Sequence, residues 1–456
     1  MRAYNDHNVY ILGAGFSAEA GLPVIKDFMN RMRDAAAWLE GQAGRQRELE
    51  AISRVLEFRL RAAAAASRVP LNVENIEELF SLASATDDQE LAAAMPLAIA
   101  ATLDYAWEVA MPSPDWQRFQ IGIVNQPEWN RPLAWTEPLP YVQEGMKRGD
   151  RKGSWYSCSP YDFYLGVMAG YFNKGGPDRQ DTIITFNYDM IVDDALRNLG
   201  MRVNYGLIPS VNRVWPEGTD WVIPQPPDGV RLLKLHGSVS WSAWGEEEEL
   251  AAIDAGIGEA AAGVGVKEAR DHVRVYRGSV KRTVITADNY RALQTKGRPP
   301  LLIPPTWRKT FTDRLAGVWD AAVVALRTAT NIIILGYSAP STDQHFRYLI
   351  AAGLQDNISL RKIFFVNPAL ADETQAAVLK DRLFGSGGLF RPELQEQGIV
   401  ELLPVDTREF FTGPHDINAG EPYRVRIGRP LNPRTCTADD APFRFSDRVE
   451  NLGAWW

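Results

Sequence analysis

The sequence predicts an α/β protein: a buried parallel sheet with helices on both faces, enlarged by a large helical insertion and followed by an extended C-terminal tail. Three observations lead there. Short aliphatic runs recur through the second half of the chain with helical patterns between them, as in a sheet covered on both sides. A run of the same kind near the N-terminus ends in glycines and opens a helix. Between the two, from about Phe28 to Met111, Ala, Leu, Glu and Arg dominate at helical spacing.

Taken in order, Val9 to Leu12 is the first strand, followed by the turn Gly13-Ala14-Gly15 and a helix start through Gly21-Leu22-Pro23. Arg47 to Ala66 and Val73 to Ser84 carry the clearest helical spacing of the next block. Pro112 to Gly153 is rich in Trp, Pro and Asn, including Trp116, Trp129 and Trp135, and Tyr161 to Phe172 returns to an apolar helix. After Gly175-Gly176-Pro177 the strands follow: Asp181 to Thr185, Val230 to Leu235, Thr283 to Thr286, Asn331 to Leu335 and Lys362 to Val366. Two polar stretches, Pro216 to Gly229 and Glu246 to Gly265, interrupt them as surface insertions or lids. The expected division is a core of residues 1–28 and 178–410, a mainly helical insertion over 29–177, and a tail over 411–456.

Composition narrows the function classes. With 456 residues the chain exceeds the size at which one hydrophobic core stops growing. A net charge of −8 has the wrong sign for a chain that grips nucleic acid by itself. The first apolar run is too short for a signal-peptide core, and the longest, Leu91 to Leu103, lies between Glu90 and Asp104 and contains Pro96. A cytoplasmic protein without a membrane span is expected. Two cysteines, Cys158 and Cys436, exclude a four-cysteine zinc site, and the five histidines show no metal-ligand spacing. No metal is expected.

Five strand ends carry polar or small residues. Gly13-x-Gly15-x-x-Ala18, after a strand and opening a helix, fits the dinucleotide fingerprint, so the expected sheet is Rossmann-like. No acidic residue closes a second strand about twenty positions on, which disfavours an ordinary dehydrogenase. Thr185-Phe186-Asn187-Tyr188-Asp189 puts an amide and a carboxylate at a strand's carboxyl end, where open α/β sheets bind ligands. Helix capping explains the same residue types. His236-Gly237 ends the next strand with a group able to move protons near neutral pH, or with a histidine of purely structural use. Gly336-Tyr337-Ser338 and Asn367-Pro368 end two more, where turn chemistry competes with ligand binding.

Together and in this order, Gly13-Ala14-Gly15-x-Ser17 with Gly21-x-Pro23, Thr185-x-Asn187-x-Asp189, His236-Gly237, Gly336-x-Ser338 and Asn367 resemble the sirtuin family of NAD-dependent deacylases and NAD hydrolases. The resemblance implies that Gly13, Ala14, Gly15 and Ser17 hold the diphosphate, that Gly336 and Ser338 line the phosphate and ribose region, and that Asn367 meets the adenosine ribose. It further implies that Asn187 contacts the nicotinamide ribose or positions a water, that Asp189 bonds the nicotinamide carboxamide, and that His236 acts on the ribose hydroxyls as general base.

Departures from the deacylase pattern decide the expected subtype. Deacylating sirtuins carry a four-cysteine zinc module that this sequence cannot build, and their Pro-Asp-Phe-Arg segment is here Pro23-Val24-Ile25-Lys26-Asp27-Phe28, without the arginine. Zinc-free members with a helical insertion, including a stretch like Asn75-Ile76-Glu77-Glu78-Leu79, look like bacterial anti-phage effectors that hydrolyse NAD and starve the infected cell. The resemblance thus implies NAD as substrate, nicotinamide and ADP-ribose as products, a homo-oligomer, and a HerA-class ATPase as a candidate partner. A zinc-free deacylase or ADP-ribosyltransferase and a non-catalytic NAD sensor are the competing expectations.

Overall fold

The structure, a computed structural model, describes residues 7–86, 88–109, 119–124, 153–169, 181–207, 229–243, 284–303, 312–340, 343–412 and 423–427. The first strand, β1 (Asn8–Leu12), runs into a four-residue helix α1 (Ala14–Ser17) through the glycine turn. Four helices follow: α2 (Ile25–Glu40), α3 (Gln46–Ala66), α4 (Ile76–Ala85) and α5 (Gln89–Val109). Next come β2 (Phe119–Val124), β3 (Gly153–Cys158) and α6 (Pro160–Met168). Then β4 (Thr182–Thr185), α7 (Ile191–Asn198), β5 (Val203–Asn204) and β6 (Val230–Lys234) build one half of the main sheet. Short strands β7 (Gly237–Ser238), β8 (Trp241–Ala243), β9 (Val284–Thr286) and β10 (Leu301–Leu302) flank a one-turn helix α8 (Tyr290–Gln294). The remainder alternates: α9 (Thr312–Thr328), β11 (Asn331–Leu335), α10 (Gln344–Leu354), β12 (Lys362–Val366), α11 (Glu373–Phe384), α12 (Pro392–Glu396), β13 (Val400–Leu403), α13 (Thr407–Thr412) and β14 (Tyr423–Ile427).

Seven strands form one sheet in the order β13-β12-β11-β1-β4-β6-β5, every pair parallel. From β1 the chain builds outward through β4 on one side, then crosses to β11 on the other. The β1/β11 boundary is therefore the point where strand order reverses, and ligands of such sheets bind outside the carboxyl ends there. Successive β1 residues face opposite layers. Tyr10 and Leu12 join a core with α6, α7 and Phe410–Phe411, while Val9 and Ile11 join one with α9, α10 and α11. Each such buried aliphatic side chain contributes about 1.5–3 kcal/mol.

Helices α2 to α5 have a core of their own, including Met32, Ile52, Val55, Leu79, Met95 and Ala98. It extends to Val239, Tyr290 and Leu302, with Tyr188 and Met190 packed against it, so this helical layer sits over the ends of β4 and β6. Within residues 29–177, α6 is different: Tyr161, Phe163, Tyr164 and Leu165 pack on the sheet itself.

One expectation needs correction. The run Thr283 to Thr286 reads as a strand of the parallel sheet, but β9 pairs antiparallel with β8 in a separate ribbon. The extended tail contributes β14, which pairs parallel with β2, itself antiparallel to β3. The proposed lids at Pro216 to Gly229 and Glu246 to Gly265 lie outside the described residues, save for Gly229 itself. No helix among the described residues is long and apolar enough to cross a membrane.

Candidate functional site

Glycines make the switch point possible. Gly13 N–H donates to Leu335 O (2.9 Å) and Gly15 N–H to Gly336 O (2.8 Å), so the loops after β1 and β11 touch backbone to backbone. A Cβ on Gly13 would lie 2.7 Å from Gly336 O, and one on Gly336 would lie 2.1 Å from Phe16 N. Gly336 also has φ +64°, a left-handed conformation that costs other residues about 1–2 kcal/mol.

The loop after β4 is wired into that turn. Thr185 Oγ1 donates to Leu12 O (3.2 Å) and accepts from Asn187 N–H (3.0 Å). Asn187 Nδ2 donates to Gly13 O and to Ser17 Oγ, both at 2.9 Å. Its two amide protons are thereby used, and Oδ1 is left to face a ligand. Asp189 caps α7 by accepting from Ile191 N–H (3.1 Å), as capping chemistry allows, and it also hydrogen-bonds Ser17. Burial raises its carboxyl above the usual range, opposed by the Lys234 charge and the Ser17 hydroxyl. Ser17 is buried and bridges Asn187 and Asp189.

Lys234, the last residue of β6, was not singled out from sequence. Its ammonium is buried, 2.8 Å from Asp193 Oδ2 and 2.5 Å from Asp189 O. Tyr205 O–H donates to the other Asp193 oxygen (2.7 Å). A lysine inside an otherwise apolar strand was the available signal.

His236 follows directly, with its ring edge-on to Phe186 (5.2 Å between centroids) and near Tyr188 (6.2 Å). Burial, helped by His345 and opposed by Asp343, lowers its pKa to about 4, so the imidazole is neutral at physiological pH. On the other side of the switch point, Asn367 Nδ2 donates to Tyr337 O (3.0 Å) and its Oδ1 accepts from Ala369 N–H (2.9 Å). Its amide thus holds the β11 loop against the β12 loop. Ser338 O accepts from Arg382 (3.2 Å), and Tyr337 O–H donates to Asp343 Oδ2 (2.6 Å).

These strand ends line a single cleft of about 960 Å³. Gly13, Ala14, Gly15, Ser17, Asn187, Asp189, His236, Gly336, Ser338 and Asn367, all ten residues selected from the sequence, are on its wall. The volume is at the upper end for small-molecule and cofactor sites. The sheet supplies the floor; Ile76, Glu77 and Phe80 of α4 and Ile99 and Leu103 of α5 supply a wall from the helical layer. Glu77 of α4, Asp343 at the start of α10 and Arg382 of α11 are titratable groups of the cleft that the strand-end motifs do not include. Glu77 is half-buried, and burial, then Asp343 and Glu78, push its carboxyl up to about 7. Among the described residues there is no group of three or more His, Cys, Asp or Glu that could hold a metal ion.

Of the comparisons with known proteins, a family model over part of the chain fits this geometry. No curated protein matches the chain in sequence. A solved structure described as "Structural Basis for the Mechanism and Regulation of Sir2 Enzymes" matches at 13% identity over 82% of this chain and 84% of its own, with a TM-score of 0.25. The architecture therefore rests on the sheet described above. A family model, the SIR2-like domain, matches residues 181–384, which hold Asn187, Asp189, His236, Gly336, Ser338 and Asn367. Over residues 181–384, from β4 to the end of α11, this chain is similar to the SIR2-like domain family.

Proposed function

We propose that this chain binds NAD across the carboxyl ends of β1, β4, β6, β11 and β12 and hydrolyses the bond between nicotinamide and ribose, releasing nicotinamide and ADP-ribose. The observation that carries the reading is the convergence of ten strand-end residues, from five separate stretches of sequence, on one cleft. The segment similar to the SIR2-like domain supports a NAD-utilising enzyme of that kind. The bare approach of Gly13, Gly15 and Gly336 leaves a side-chain-free saddle at the switch point, which suits a diphosphate.

At the β4 and β6 end, Asn187 keeps Oδ1 available to accept a hydrogen bond from water or a ribose hydroxyl. Neutral His236 accepts from a ribose hydroxyl without placing a cation beside the developing oxocarbenium ion. Asp189, its carboxyl raised by burial, meets the nicotinamide carboxamide. Polar groups already fixed in place stabilise such a charge better than bulk solvent, which must reorganise around it. Residues 1–28 and 178–410 then form the NAD-binding core and α2 to α5 its cover. The zinc-free sequence and helical layer favour NAD depletion in anti-phage defence by abortive infection, by a homo-oligomer working with a HerA-class ATPase; this role rests on the sequence resemblance.

The test is incubation of the purified chain, alone and with its genomic neighbour, with NAD, following nicotinamide and ADP-ribose by chromatography. Release that disappears in Asn187→Ala and His236→Ala is expected. Tight binding of intact NAD would make the chain a sensor, and turnover only with acylated peptide would make it a deacylase.

A further inference from the structure

We propose that Glu77, carried by α4 of the helical layer, is a catalytic residue that takes the proton from the attacking water at the nicotinamide end of the cleft. This inference rests on the NAD-cleaving reading above and adds a group from outside the sheet. The local geometry separates Glu77 from its neighbour. Asn75 caps α4, accepting from the backbone N–H of Glu77 (2.9 Å) and of Glu78 (3.4 Å). The Glu78 carboxylate is tied back to that cap, accepting from Asn75 Nδ2 (3.2 Å) and Asn72 N–H (2.9 Å). The Glu77 carboxyl has no hydrogen bond among the described residues and lines the cleft.

The other groups at this end are engaged or weak as bases. Asn187 has spent its amide protons on Gly13 and Ser17. Asp189 is held by Ser17 and the α7 cap. Asp343 accepts from Tyr337 O–H and from Phe346 N–H, which caps α10. His236, at about 4, still accepts hydrogen bonds but is too weak a base to keep a proton from water at neutral pH. Glu77 interacts electrostatically with Tyr188 and Tyr337, just past the ends of β4 and β11, and with Asp343, which caps α10, so it belongs to the same end of the cleft. The titratable groups that interact with it are Asp343, Tyr188 and Tyr337 from the sheet side and Glu78 on its own helix, while His236, Lys26 of α2 and Glu74 share the cleft wall. A carboxyl poised near neutrality is matched to general-base work there.

The step balances without further reagents. The water oxygen bonds to ribose C1′ while the bond from C1′ to the pyridinium nitrogen breaks, and that electron pair leaves with neutral nicotinamide. One water proton passes to the Glu77 carboxylate and then to solvent. Asn187 Oδ1 accepts the other water O–H and aims the attack.

Nicotinamide release by the full chain would be followed from pH 5.5 to 9 for wild type, Glu77→Gln, Glu77→Asp and Glu78→Gln, with NAD binding by calorimetry alongside. Wild-type kcat should rise with pH through a midpoint near 7. Glu77→Gln should lose about 10²–10³-fold in kcat together with that limb, with Kd for NAD changed less than about threefold. Glu77→Asp should keep the limb at reduced kcat, and Glu78→Gln should keep both rate and limb. A Glu77→Gln enzyme that retains the limb, or loses less than about tenfold, overturns the assignment. So does a loss of activity that tracks weakened NAD binding. Should the Gln variant not fold, an unchanged kcat in Glu77→Asp overturns it and a lowered kcat with the limb intact sustains it. Wild type that releases no nicotinamide refutes the NAD-cleaving reading and this inference with it; wild type that cleaves with an unimpaired Glu77→Gln refutes this inference alone.

Discussion

Lys234→Met should be among the most destabilising single changes in the molecule. Both side chains of the Lys234–Asp193 pair are 1% exposed, and the ammonium also holds the Asp189 carbonyl. Methionine keeps much of the apolar stem but leaves the Asp193 carboxylate buried with Tyr205 O–H as its hydrogen-bond donor. Breaking a buried pair in this way costs about 3–5 kcal/mol, whereas replacing both partners by apolar residues is often near neutral. Lys234→Met should therefore lower the free energy of unfolding by about 3–5 kcal/mol, and adding Asp193→Leu should recover more than half of that loss. The assay is urea unfolding followed by tryptophan fluorescence, with NAD binding measured below the transition. Because the Asp189 carbonyl loses its anchor, both variants should bind NAD more weakly than wild type, including the double variant whose stability returns. A single variant that costs less than about 1 kcal/mol, or a double variant no more stable than the single, would refute the argument that an uncompensated charge dominates.

Gly336→Ala places a Cβ 2.1 Å from Phe16 N at φ +64°, so it should cost at least about 1–2 kcal/mol and disturb the glycine saddle; circular-dichroism melting and NAD titration check both. His236 has its pKa lowered to about 4 from 6.5, so the unfolded chain binds its proton first and stability is lost as pH falls from 6.5 towards 4. That is about 2 kcal/mol at pH 5, and His236→Asn should reduce the pH dependence of the urea midpoint over this window, leaving the share of His7, whose pKa is also lowered to about 4. Glu77 has the opposite sign. Its raised carboxyl makes the folded state lose stability as pH rises from 4.5 to 7, and Glu77→Gln should remove that slope. Arg408→Leu takes the guanidinium from Glu19, which Tyr164 O–H then holds alone at 3.1 Å; a loss of about 1–3 kcal/mol in thermal unfolding is expected.

Burial decided which strands the sequence revealed. Asn331–Leu335 is buried throughout and Lys362–Val366 nearly so, and such parallel strands read as unbroken apolar runs that stand out from their flanks. β13 at the sheet edge has three partly exposed residues, one of them a glutamate, and the two residues of β5 carry no pattern at all. β9 is apolar enough to read as a strand, but apolarity says nothing about the partner, and β8 took it into an antiparallel ribbon. The layer of α2 to α5 was legible as helices because their apolar spacing is strong. Its position over the ends of β4 and β6 was not, since no sequence period specifies which surface a finished helical layer covers.

The same limit explains the division within the site. Parallel strands deliver all their carboxyl ends to one edge, so a polar residue just after each apolar run is already a statement about location, and Asn187, His236, Gly336 and Asn367 could be gathered before any coordinates. What those residues do to one another could not. Asn187 and Ser17 are 170 positions apart and share a 2.9 Å hydrogen bond, and Asn367 spends its amide on the Tyr337 carbonyl. Such commitments change the chemistry left for a ligand: an asparagine with both amide protons engaged is an acceptor, and a desolvated histidine is a neutral partner. Once the strand ends are so occupied, Glu77, which the helical layer brings down, is a carboxyl of the cleft wall that has no hydrogen bond among the described residues and a pKa pushed up to about 7. A sheet edge that holds a dinucleotide leaves the opposite wall free to carry further chemistry, as the same fold does when it hosts different functions.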